Sequence, residues 1–375
     1  MKSAIIAACL LAAGAQAAAI EPSEAVMAPY RDYLAAFEAG ERERAAELAE
    51  QAFQAGRAES IEQGLLEALA ENRAQALSEA AQPSRSADAF VELAGLVEGR
   101  GGSGEDRAAF LARAAAEAFR AEDLRAAQSH ASAAAGLLGD APSGMLYSAR
   151  MIIANAEWGR GRYRQAGASA EAAIEVIEAL GEPVVNLDAA MLAFMAGGGR
   201  SMRQQHEQAA YFFALSTALV RETDPDWVNS RAADAWSIYS RGNLDRRAQT
   251  RLVESLGESV YAELLAAEPE RWEREGPDIP EGAEWEDASP IRRPTPSYPM
   301  QAAQAMVDGV SVHRFTVGAD GRVDEVETLF SIPHRIFGES GERAIRRWRY
   351  EPARLDGQAI EREGVITSFQ FMMDR

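Results

Sequence analysis

The chain has 375 residues, 47% of them hydrophobic and 26% charged, which is room for two or three domains of about 100–200 residues each. Its formal net charge of −20 argues against nucleic acid or an anionic membrane surface as a general partner, because both require a basic footprint. The surplus is uneven: from Arg292 to the C-terminus 12 arginines balance 12 aspartates and glutamates, so a neutral segment follows an acidic body.

The first residues, MKSAIIAACLLAAGAQAAAI, join one lysine to an apolar run from Ala4 to Ala13 and a small-x-small site at Ala15-Gln16-Ala17. This pattern predicts a secretory signal, residues 1–17, cleaved before Ala18, and therefore an exported protein. Two rival readings are a lipoprotein-like box at Ile6-Ala7-Ala8-Cys9 and an uncut inner-membrane anchor. Against them, the run ahead of Cys9 is short, and the apolar stretch falls below the about 20 residues of a spanning helix. Cleavage removes the sole cysteine, Cys9, and the sole lysine, Lys2. Thiol catalysis, disulfides, Cys-ligated zinc and Schiff-base chemistry then drop out.

Residues 18–276 read as a helical domain. Three stretches repeat one pattern, a polar turn followed by a helix with alanine at i, i+4 and i+7: Ala45, Ala49, Ala52; Ala127, Ala131, Ala134; Ala166, Ala170, Ala173. Small residues at that spacing let a neighbouring helix approach closely. The turn glycine and aromatic of Gly161-Arg162-Tyr163, followed by Ala166 and Ala173, resemble the tetratricopeptide repeat. The turns near 40, 122, 161, 204 and 242 are spaced by one or two multiples of about 40, longer than the family's about 34 residues. An irregular alanine-rich bundle is the plainer alternative. Gly99-Arg100-Gly101-Gly102-Ser103-Gly104 matches a dinucleotide fingerprint by letter, yet it follows an expected helix at Phe90–Val97 where that motif needs a strand. Both it and Gly197-Gly198-Gly199 are read as loops.

Prolines at 277, 280, 290, 294, 296 and 299 forbid a helix there, and residues 277–291 read as a linker, with Trp272 and Trp285 as docking points on the helical body. From 292 to 375 the periodicity changes. Gly309 opens the strand VSVHRFTV, Asp320-Gly321 makes a turn, and RVDEVETL returns as a hairpin. Phe337, Ala344, Ile345 and Trp348 share a helical face, with Pro352 beyond its stop. Val365, Thr367, Phe369 and Phe371 alternate with Ile366, Ser368 and Gln370 as a strand of period two. The order is β-β-α-β. The expected fold is therefore an α-helical hairpin array followed by a small α+β domain.

Pro296-Ser297-Tyr298-Pro299, Gly309, Phe315, Val317, Asp320-Gly321, Val323, the stretch through Ala344-Ile345, Trp348, Tyr350 and Pro352-Ala353, then Gly357 and Phe369-Gln370-Phe371, together resemble the TonB C-terminal domain family. The resemblance covers about 80 residues and implies a periplasmic binding module that recruits the N-terminal box of outer-membrane transporters as an added strand, linked to TonB-dependent transport. Main-chain hydrogen bonds then supply most of the affinity. On that analogy the peptide-binding residues are Arg293, Thr295, Tyr298 and Pro299 of the lead-in segment and Val365, Thr367, Phe369 and Phe371 of the final strand. Gly309, Asp320, Gly321, Trp348, Tyr350 and Pro352 carry the structural motif. The chain departs from the family's energy transducers, which keep an uncleaved N-terminal helix and a proline-rich rod. Ser311 and His313 occupy positions usually apolar, which requires either a bulge or a covering partner.

No catalytic constellation stands out. His130, His206, His313 and His334 are scattered without recurring ligand spacing, and Gly338-Glu339-Ser340-Gly341 is not a nucleophile elbow. The expected protein is non-enzymatic and takes no cofactor or metal. It binds an outer-membrane transporter peptide or another envelope protein, with a second protein partner on the helical repeats and largely independent affinities. The alternative function is an envelope scaffold or dimerisation module without energy transduction.

Overall fold

The computed structural model describes residues 22–224, 230–275, 279–280, 282–304, 309–332 and 335–371. The signal reading at 1–17, and His334, lie outside the described residues. The chain divides into two compact units, Met1–Leu180 and Gly181–Arg375. The compositional boundary at 276/277 thus falls inside the second unit.

In the first unit α1 (Glu24–Glu38), α2 (Arg42–Glu59), α3 (Gln63–Glu79), α4 (Pro83–Gly99), α5 (Gly104–Arg120), α6 (Leu124–Leu138), α7 (Gly144–Gly159) and α8 (Tyr163–Leu180) pack as consecutive antiparallel hairpins. Short polar side chains start several of them. The hydroxyls of Ser23, Ser103 and Ser143 and the carboxylate of Asp123 accept first-turn N–H groups that have no helical partner. Ser103 closes the glycine-rich segment 99–104, which runs between the helices α4 and α5 as a loop.

One turn geometry joins the two helices of each hairpin. Gly40, Ala81, Glu122 and Gly161 are left-handed, at φ 74°, 53°, 60° and 71°. The N–H of the next residue donates to a carbonyl five residues back: Glu41 to Ala36, Gln82 to Leu77, Asp123 to Ala118, Arg162 to Glu157. The left-handed residue's own N–H donates three residues back, to Phe37, Ser78, Phe119 and Trp158, and this double closure satisfies carbonyls that the helix end would orphan. The turn at Ala81 fills the doubled interval between 40 and 122 and completes a spacing of about 40 residues. Its signature is hidden in the sequence, because the left-handed residue is alanine and the following helix carries Ser86, Phe90 and Leu93 where its counterparts carry alanine. All three are buried, and Ser86 Oγ donates to Ala74 O at 2.9 Å. The alanines at 45, 49 and 52, at 127, 131 and 134, and at 166, 170 and 173 are at most 3% exposed, as the close-approach argument requires.

The second unit begins with α9 (Leu187–Ser201), α10 (His206–Thr223), α11 (Ser230–Gly242) and α12 (Arg246–Glu258), followed by the short α13 (Ala262–Leu265) and α14 (Glu268–Glu275). The turn at Gln204, φ 59°, repeats the same closure, with Gln205 N–H donating to Arg200 O. The loop expected at Gly197–Gly199 is instead inside α9. A Cβ on Gly197 would stand 2.9 Å from the Phe213 ring, so this glycine lets α10 approach, and a packing requirement overrides the local preference for a turn.

Beyond them lie β1 (Trp285–Glu286), β2 (Ser289–Arg292), α15 (Met300–Gln304), β3 (Gly309–Val317), β4 (Val323–Ile332), α16 (Arg335–Ile345), β5 (Arg349–Glu351), β6 (Ala353–Leu355), β7 (Gln358–Ile360) and β8 (Arg362–Phe371). The predicted β-β-α-β order is present as β3-β4-α16-β8, an antiparallel sheet ordered β4-β3-β8. Within and just after the stretch 277–291, read as a linker, β1 pairs with β6 and β2 with β5. Proline excludes helix but is tolerated in an edge strand, where Pro290 sits opposite Tyr350.

Candidate functional site

The three-stranded sheet is set by two glycines and an aromatic cluster. Gly321, at φ 75°, donates its N–H to Gly318 O, while Asp320 Oδ1 accepts from Arg322 N–H at 2.9 Å and closes the turn between β3 and β4. Tyr350 N–H donates to Gly321 O at 2.9 Å, and a Cβ on Gly321 would fall 2.0 Å from Tyr350 O. The glycine is therefore required twice, by its torsion angle and by the strand that crosses it. Gly309, opposite Phe371, opens the β3–β8 ladder, and Pro352 separates β5 from β6.

On one face Phe315, Val317, Val323, Val326, Ile345, Trp348 and Tyr350 form the core. Trp348 is 1% exposed, meets Phe315 and Phe369 edge-on at 5.7 and 5.6 Å, and donates Nε1–H to Pro294 O at 3.0 Å. Burial with its one polar group satisfied makes it the anchor of this face. The Arg293 guanidinium lies 4.5 Å from the Trp348 ring centre, so the lead-in segment is fixed to the sheet by a hydrogen bond and a cation–π contact.

Ser311 and His313 also lie on this face, where the structure has a bulge and, in place of a covering partner, the chain's own helix. The β3–β4 register shifts between Val312 and His313, and α16 covers the pair. A Cβ on Gly341 would stand 2.1 Å from His313 Nε2, so a glycine in the helix makes the room. His313 Nε2 is 2.8 Å from Ser311 Oγ and its Nδ1 is 3.2 Å from Thr328 Oγ1, which in turn donates to Glu342 Oε1 at 2.6 Å. Thr328 has one proton and gives it to the carboxylate, so it accepts from Nδ1–H. Nε2 is then the acceptor for Ser311. Burial pushes the His313 pKa down to about 4, against the opposing pull of the Glu342 charge, and the ring is neutral at pH 7.

The predicted binding residues separate into two groups. Val365, Thr367, Phe369 and Phe371 pair with Phe315, His313, Ser311 and Gly309, and their side chains point into the core rather than outward. Thr367 and Phe371 are 5% and 4% exposed. What β8 offers at its far side is main chain, because no other strand pairs with it among the described residues. On the lead-in segment Arg293 and Thr295 are exposed and Tyr298 and Pro299 half-buried. Tyr298 meets Phe337 and Phe371 at 6.0 Å each, which places the segment beside the end of β8. The structure thus brings Tyr298 to Phe371 and, through Trp348, Arg293 to Phe369.

Sequence reading missed the covering of the opposite face. Val312 is fully buried there, its partner Phe330 meets Phe194 of α9 edge-on at 6.1 Å, and α11 packs against β3, β4 and β8. The available signal was Val310-x-Val312, two apolar residues on the face opposite Ser311 and His313.

No three metal-ligating side chains come together among the described residues, and none of their helices is long and apolar enough to cross a membrane.

Residues 294–373 match the family described as Gram-negative bacterial TonB protein C-terminal. Protein TonB of Pseudomonas aeruginosa is 33% identical over 83 residues, 22% of this chain and 24% of that protein. Protein TonB of Escherichia coli K12 is 39% identical over 64 residues, 17% of this chain and 27% of that protein. The solution NMR structure of the Pseudomonas aeruginosa TonB CTD is 32% identical and covers 24% of this chain and 89% of its own, with a TM-score of 0.22. The chain spans about a quarter of the length of the curated relatives it matches. The C-terminal sheet module, residues 294–373, accordingly carries the pattern of the TonB C-terminal family.

Proposed function

We propose that this protein is a non-enzymatic periplasmic adaptor whose C-terminal module captures an extended peptide of an outer-membrane transporter, in a role linked to TonB-dependent transport. The observation that carries the reading is β8: an edge strand with its side chains committed to the core and its outer main chain unpaired among the described residues. Such an edge accepts another backbone as an added strand. The similarity of residues 294–373 to the TonB C-terminal family supports the choice of partner. The helical hairpins of the first unit, TPR-like in their turns and small-residue faces, present a surface for a second protein.

The test is capture of labelled N-terminal peptides of outer-membrane transporters by the full chain. Thr367→Pro removes an N–H from β8 and puts a ring in its ladder, and capture should fall at least about tenfold, which is 1.4 kcal/mol, while helix content is retained. Trp348→Ala should weaken capture and cost about 3–5 kcal/mol of stability in the second unit. Undiminished capture by both variants contradicts the reading.

A further inference from the structure

A row of arginines crosses the margin of the sheet on the side away from β8. Arg292 of β2 lies opposite Arg349 of β5, and Arg349 faces Arg322 across an isolated bridge just ahead of β4. Neighbouring strands are about 4.8 Å apart, so the three residues span about 10 Å. All three are exposed, and Arg349 points outward because Tyr350 beside it fills the core. Arg292 and Arg349 pair with no carboxylate among the described residues, while Arg322 reaches Asp320 at 3.4 Å. Arg349 gives one donor to Trp348 O at 2.7 Å, and Glu351, the next outward residue of β5, accepts from the Ser289 hydroxyl at 3.3 Å instead. Like charges opposite one another on a ladder are destabilising. Arg343, in the last turn of α16, has a local reason to be basic, since cations suit a helix C-terminus. The row has none, and a feature that breaks a local rule without compensation within the fold marks a site of function.

We propose that this row is a docking surface for a short acidic segment of a partner protein, separate from the β8 edge and from the helical hairpins. A guanidinium fork takes a carboxylate through two parallel N–H donors, and most donors of Arg292 and Arg349 are uncommitted. Carboxylates on alternate residues of an extended segment stand about 6.6 Å apart, so two of them fit along a row of about 10 Å. Charge selects this class over a broad anionic surface. A membrane or a nucleic acid meets the whole molecule, whose net charge is −20. A short segment meets the row alone, and charges more than about 10 Å away are largely screened at about 0.1 M salt.

A fluorescein-labelled synthetic peptide that alternates glutamate with serine, and its glutamine counterpart, test this on the full chain at about 0.1 M salt. The glutamate peptide should bind and the glutamine peptide should not. Arg292→Gln and Arg349→Gln together should weaken binding at least about tenfold. Because they also relieve the opposed charges, the urea midpoint of that variant should hold or rise; a lowered midpoint would show the row serving the fold and overturn the proposal. Arg335→Gln removes a charge from the other end of α16 and should change the affinity less than about twofold. A loss there as large as in the double variant would reduce the effect to general attraction, which also overturns the proposal. It fails too if the glutamate peptide does not bind, or if phosphatidylglycerol vesicles bind in its place with the same dependence on Arg292 and Arg349. A dimer of the chain in sedimentation that the double variant dissolves would make the occupant a second copy and overturn the choice of partner.

Discussion

His313 is the residue whose chemistry is most open to measurement. In an unfolded chain its imidazole titrates near 6.5; in the sheet burial holds the pKa at about 4. Between those values the unfolded chain binds a proton that the folded chain refuses, so stability falls as pH drops through the window and is fully retained above it. The difference amounts to about 3 kcal/mol of lost stability by pH 4. Urea unfolding at pH 7 and pH 4.5 should show this loss, reduced in His313→Gln relative to the unaltered chain by most of that amount. An identical pH slope in both proteins would remove His313 from the account. Gly321 gives a second residue-scale test. Gly321→Ala forces an L side chain to φ 75° and against Tyr350 O, and should cost at least about 2 kcal/mol in thermal or urea unfolding. A loss below about 0.5 kcal/mol would mean that the β3–β4 turn and β5 do not meet as described.

At the scale of elements, the hairpin turn is the repeating device, and it tolerates strain in three of its copies. Ala81, Glu122 and Gln204 adopt the left-handed conformation that Gly40 and Gly161 reach without penalty. Ala81→Gly and Glu122→Gly should therefore stabilise their hairpins by about 0.5–1 kcal/mol each, against the usual loss for glycine. A destabilisation in thermal unfolding would place these residues outside the left-handed region. The same turns explain how much was legible in the chain. Where glycine and small alanines coincide, at 40 and 161, periodicity and turn chemistry agree and the hairpin is readable. At 81 neither sign is present, because a left-handed alanine and a Ser86-Phe90-Leu93 stripe satisfy the packing by other means. The sheet was readable from its alternation and from Gly321, Trp348 and Pro352. The strands β1 and β2 were not: they are two and four residues long, β2 is exposed and carries Pro290, and their partners β6 and β5 lie about 60–70 residues later. The predicted site residues were legible as a strand, but the face toward which Thr367 and Phe371 point follows from the ladder with β3, not from their spacing.

For the whole molecule, the compositional boundary and the boundary between the two compact units do not coincide. A proline-rich stretch and a change of net charge suggest a helical body tied to an independent domain. The second compact unit instead groups α9–α14 with the sheet, and the burial of Val312 and the Phe194–Phe330 contact tie these helices to its second face. That assembly leaves β8's outer main chain as the feature on which the proposed activity turns. The most direct test is hydrogen exchange across residues 362–371 of the full chain, with and without a transporter N-terminal peptide that it captures. The account predicts slowed exchange concentrated in alternate amides of β8, those aimed away from β3. Capture that leaves the β8 amides unchanged and protects another surface would contradict it.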